Sequence, residues 1–127
     1  MTTLRIMGST IALISLVSLS PVALADAPQA LATAARHAGL AAAADDIAGA
    51  HRHLHHALNC LVGPNGEGFD EAAGNPCNDA GGAIPQTAAA QIKENLQGVA
   101  MKVRDAIENG DLAAVKDVAL STQETLE

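Results

Sequence analysis

The chain has 127 residues and a formal net charge of −7, with fourteen acidic side chains against seven basic ones. That balance argues against the phosphate backbone of nucleic acid or an anionic lipid surface as a partner. Phe69 is the only aromatic residue, so any core must be assembled from alanine, leucine and valine, which bury little area each and require close helix approach.

The first residues have the order of an export signal: Arg5 as a positive start, an apolar stretch from Ile6 to about Leu19, and Ala23-Leu24-Ala25 before Asp26. The expectation is a signal peptide over 1–25, cleaved after Ala25. Gly8, Ser9, Thr10, Ser15, Ser18 and Ser20 interrupt the apolar stretch, leaving it short of the roughly 20 apolar residues of a spanning helix. A periplasmic or secreted protein, free of the membrane after cleavage, is expected. The remaining 26–127 segment is long enough for one domain.

From Pro28, which suits a first helical turn, residues 27–62 are rich in helix formers. Leu40, Ile47, Leu54, Leu58 and Leu61 fall on one stripe, with Ala43, Ala50 and Ala57 beside it. One long helix or two would satisfy this pattern. Asp45 and Asp46 can cap a new helix and favour a break there.

Gly63-Pro64 ends the helical region, and residues 63–84 hold six glycines together with Pro64, Pro76, Asn65, Asn75 and Asn78. Such composition is a loop, and one this long needs a function or a covalent staple. Cys60 and Cys77 bracket it, and in an oxidising compartment a disulfide between them is the expected state. In the chain-entropy model, closing a loop of that size contributes on the order of 3 kcal/mol. Phe69 is the expected apolar anchor of the loop. The acidic and amide residues of the loop lack the alternating spacing and closing glutamate of a calcium site.

In 85–127, Ile92, Leu96, Val99, Val103, Ala106 and Ile107 have helical spacing, Asn109-Gly110 breaks it, and Asp111 caps a last helix bearing Leu112, Val115, Val118, Ala119 and Leu126. Sliding the chain by 65 residues sets Asp46-Ile47-Ala48 on Asp111-Leu112-Ala113 and Ala34 on Val99. The expected fold is all-α: a small four-helix bundle of two helical hairpins joined by the disulfide-closed, Gly-rich loop.

Four of the five histidines lie in His51-Arg52-His53-Leu54-His55-His56. Imidazoles one helical turn apart can chelate a single transition-metal ion. His51 and His55 have the i, i+4 spacing and flank the leucine stripe. On an unbroken helix His37 would stand about 21 Å from His51; in a hairpin turning at Asp45 it comes level with His53, close to His51 and His55, as a third ligand. A second set, His53, His56 and Cys60, lies on the opposite face and needs a free thiolate, which a disulfide removes. In that case His53 and His56 would contact the folded-back loop. No nucleophile elbow, phosphate loop or dinucleotide fingerprint is present, and neither a haem-attachment motif nor the Glu-x-x-His of di-iron bundles, so the reading is non-enzymatic.

Taken together, Ala34-Ala35-Arg36-His37-Ala38, Asp46, His51 to Leu58, and Ala106-Ile107-Glu108-Asn109-Gly110-Asp111 resemble the small His-rich periplasmic metal-binding proteins. The resemblance implies a helical bundle that binds copper, zinc or nickel, with ligands drawn from His37, His51, His53, His55 and His56. Two departures stand out. The second half has no histidine, and the segment from Asn59 to Ile84 has no counterpart in that family. The contrasting expectation is a disulfide-stapled interaction module whose partner, a periplasmic protein, docks on loop 63–84 and whose histidines are incidental.

Overall fold

The computed structural model describes residues 26–127, so the signal-peptide reading of 1–25 lies outside the described residues. Five α-helices and no strands occur among them: α1 (Asp26–Ala42), α2 (Ile47–Val62), α3 (Ala83–Gln86), α4 (Ala90–Glu108) and α5 (Leu112–Leu126), with a 3₁₀ turn at Asn78–Ala80. None is long and apolar enough to cross a membrane. The chain is therefore all-helical where described, with α1 packed on α2 and α5, and α4 packed on α2 and α5.

The two longest helical regions each break at an aspartate. Asp46 adopts an extended conformation and its Oδ1 accepts the Gly49 N–H at 2.7 Å, so α2 begins as a capped helix rather than a continuation of α1. Asp111 does the same for α5, accepting from the Ala114 N–H at 3.0 Å. Helix α1 has no basic residue in its last turn; Lys116 of α5 donates to the Ala44 carbonyl beyond it at 3.0 Å, placing a cation near the negative end of the helix dipole.

Leu54, Leu58 and Leu61 are fully or almost fully buried, as are Ala50 and Ala57, so the α2 part of the expected stripe is core. Leu40 and Ala43 depart from it. Leu40 is 40 % exposed, because the break at Asp46 puts it on a different helix, whose inward face is Ala30, Ala34, Ala38 and Ala41 at 0 % exposure. An all-methyl face lets α1 lie close against two neighbours at once. In α4, Leu96, Val99, Val103 and Ala106 are buried, but Ile92, one turn earlier, is 52 % exposed and lies beyond the packed face.

The displacement of 65 residues is matched in part by burial, although Ala30 falls on the exposed Asn95 and Leu58 on the half-buried Gln123. It carries α1 onto α4 and α2 onto α5, and buried positions onto buried positions: Ala34 on Val99, Ala38 on Val103, Ala41 on Ala106, Ala50 on Val115, Leu54 on Ala119. At four of these five pairs one hairpin has the larger side chain and the other an alanine, while Ala41 and Ala106 are equal.

Between the hairpins, Cys60 and Cys77 form a disulfide with Cα atoms 5.4 Å apart. The expected apolar plug is not what seats the loop. Phe69 is only partly buried and lies outside the core cluster. The buried Asn59 instead reaches into the loop, donating from Nδ2 to the Asp70 and Gly74 carbonyls, both at 2.7 Å, and accepting the Asp70 N–H at 2.9 Å. At the base of the loop, Gly63 (φ 73°) abuts Gly82; a Cβ on Gly63 would fall 2.8 Å from the Gly82 nitrogen. Only glycine permits both that φ and that approach. The short helix α3, containing Pro85, was not visible in the sequence pattern because four residues are too few to show a period.

Candidate metal centre

The hairpin of α1 and α2 brings His37 level with His53, as expected from a turn at Asp45–Asp46, and the third ring at that level is His56. One ligand atom from each of these three residues lies within 4.8 Å of the other two. His37 Nδ1 and His53 Nδ1 are 3.4 Å apart. Two nitrogens bound to one tetrahedral zinc, with Zn–N bonds of about 2.0–2.1 Å, stand roughly 3.3–3.4 Å from each other. The first edge of a tetrahedron is therefore already set. His56 meets both rings edge-on, at interplanar angles of 84° to His37 and 76° to His53.

Protonation favours the same use. Burial, reinforced by the facing His56 and His53 and by Arg36, lowers the His37 pKa to about 4. Burial, with Arg52 and His56, lowers that of His53 as well. Both rings are neutral at neutral pH, with a lone pair free to bind a cation.

His56 is fixed from behind. Its Nε2 lies 2.7 Å from the Ala73 carbonyl, and since a carbonyl can only accept, Nε2 carries the proton. In the neutral ring Nδ1 is then the acceptor, and that atom is buried without a hydrogen-bond partner. A ligating histidine typically donates its other ring N–H to a carbonyl or carboxylate, and His56 is arranged in this way. Three imidazoles on two helices can hold one transition-metal ion and leave its fourth position open.

The remaining histidines are not part of this group. His51 lies by its Nε2 2.8 Å from the Asn109 carbonyl, tying the second turn of α2 to the turn between α4 and α5. His55 Nδ1 stands 3.7 Å from Asp70 Oδ2 on the loop. The grouping of His37 with His51 and His55 is thus replaced by His37 with His53 and His56. His51 and His55 do flank the leucine stripe, but the faces they flank meet the α4–α5 turn and the loop, not α1. Cys60 is in the disulfide and contributes no thiolate. What the spacing reading missed was the combination of its own two sets. The hairpin puts His37 opposite His53, and His56 is one turn from His53 on the same face.

Comparison with protein-family models, with curated proteins and with solved structures finds no match. The site is therefore read from its own geometry.

Proposed function

We propose that this is an exported, non-enzymatic metal-binding protein of the periplasm or extracellular space that takes up one transition-metal ion, copper, zinc or nickel, for handling or storage. The ion is held by His37, His53 and His56 within a four-helix bundle of two hairpins. The observation that carries the reading is the convergence of three imidazoles from two helices, two of them with nitrogens at the spacing of a shared ion. Imidazole nitrogen suits these metals, and the absence of carboxylate oxygen from the group disfavours magnesium and calcium. The sequence of residues 1–25 supports export. The open fourth position suits reversible loading from, and delivery to, another ligand.

The test is a titration of the 26–127 protein with zinc(II), copper(II) and nickel(II), repeated on single alanine variants. One ion per chain is expected, with affinity reduced at least tenfold by His37→Ala, His53→Ala or His56→Ala and unchanged by His51→Ala or His55→Ala. Wild-type binding no tighter than that of an isolated exposed histidine pair sinks the reading, as does binding lost only with His51 and His55.

The second reading, an interaction module, is favoured by a cleft of about 720 Å³ between the loop and α4, lined by Val62, Ile84, Pro85, Ala100 and Met101 and bordered by the Arg104–Glu67 ion pair. In that reading loop 63–84 presents a partner surface, and substitution of Met101 rather than of a histidine abolishes function.

A further inference from the structure

We infer that the glycine-rich loop is the outer layer of the metal site. In this arrangement, which rests on the metal reading above, Asn59 and the Cys60–Cys77 disulfide are positioning groups that hold the Ala73 carbonyl against His56.

His56, Asn59 and Cys60 occupy one face of α2, at i, i+3 and i+4. All three end on the same short stretch of loop. His56 donates to the Ala73 carbonyl, Asn59 holds the backbone of Asp70 and Gly74 on either side of it, and Cys60 is bonded to Cys77. Asp70 adds a second constraint, its Oδ1 accepting the Ala72 N–H at 2.9 Å and the Ala73 N–H at 3.4 Å. The direction of the Ala73 carbonyl is thus set by neighbours two steps removed from the histidines. Asn59 is 0 % exposed, and both its amide donation and its carbonyl are spent on the loop backbone. A fully satisfied buried amide of this kind fixes one loop placement against its alternatives.

A clamp serving the loop alone would leave no reason for the other ring nitrogen. His56 Nδ1 is buried and without a hydrogen-bond partner, as is His55 Nδ1, which has Asp70 Oδ2 at 3.7 Å; of the two, His56 belongs to the three-histidine group, where a shared cation would meet it. A cation shared with His37 and His53 supplies the missing partner. The loop therefore acts on His56 through the Ala73 carbonyl, which selects in the neutral ring the tautomer with the lone pair on Nδ1. Released from the loop, the imidazole rotates about its side-chain bonds and samples both tautomers.

The experiment compares the 26–127 protein with Asn59→Ala and with the Cys60→Ser, Cys77→Ser double variant, using zinc alone as the probe. Zinc affinity should fall about 10- to 100-fold in both, the range seen for loss of such outer partners, while helical content is retained and the His51→Ala control binds as wild type. Nitrogen NMR of the metal-free wild-type protein should show His56 as the Nε2–H tautomer, and a tautomer mixture in the two variants. If wild-type His56 is not the Nε2–H tautomer, the inference is overturned whether or not the variants fold. It is equally overturned if folded variants keep wild-type affinity and tautomer. Should wild type fail to bind zinc while its His56 tautomer is fixed and then released in the variants, the clamp stands and the metal reading falls.

Discussion

The two hairpins share a register but not a chemistry. Several residues displaced by 65 positions are buried in both hairpins, and both second helices start at an aspartate cap. Yet the positions that correspond to His37, His53 and His56 are Lys102, Val118 and Ser121, and the helix preceding the loop alone carries Asn59 and Cys60. Packing of this fold asks only for small and medium apolar side chains at fixed intervals. The histidines thus belong to one hairpin, while the other is packed at the corresponding positions without them.

The comparison breaks most visibly in the core. Leu54 and its counterpart Ala119 are both fully buried, so Leu54→Ala should cost about 3 kcal/mol through lost burial and the cavity left behind. Ala119→Gly should cost about 1 kcal/mol, mainly as helix propensity. Urea denaturation reads both, and equal costs would show that the hairpins do not complement each other in size. A smaller effect sharpens the chemical half of the comparison. Lys102→His, Val118→His and Ser121→His together should create a second zinc site on α4 and α5, at least tenfold weaker than the first because no loop carbonyl orients its third ring. Stoichiometry by calorimetry checks this, and a single zinc per chain would mean that equivalence of burial does not extend to the ring positions.

The smallest effect concerns the metal-free protein at mildly acidic pH. His37 is held neutral in the fold down to about pH 4, whereas in the unfolded chain it takes up a proton near the ordinary histidine value of about 6.5. Between those values the unfolded state binds more protons, so stability is full above about pH 6.5 and falls as the pH drops toward 4. His53 acts in the same direction. The urea midpoint should therefore decline over that window, and decline less in His37→Gln. Parallel profiles for the two proteins would exclude His37 as a contributor.

Much of this architecture is legible in the sequence because it is local. Asp46 and Asp111 are caps that announce themselves beside apolar periods, and Leu54, Leu58 and Leu61 repeat at helical spacing. The disulfide follows from two cysteines flanking a long loop. What was not legible depends on which surfaces meet. Leu40 continues the leucine stripe only if the helix is unbroken, and once it breaks, the inward side of α1 is chosen by alanines that carry no strong pattern. Which of the five histidines converge is hidden for the same reason. A helical wheel gives the direction of His51 and His55, but that α1 lies on the side of His53 and His56, and that the loop folds back over His56, are tertiary facts.

The contact of Gly63 with Gly82 has a topological meaning. The chain enters and leaves the loop at one point where backbone touches backbone, and a few residues away the Cys60–Cys77 bond ties the same segment to α2. The intervening stretch is thus a small ring with a pinched neck, not an open connection between hairpins. Its interior cannot fray from an end, since it has none, and the cheapest way for it to loosen is as one piece. A segment that yields only as a unit can stay in place over its histidine without a large apolar core of its own.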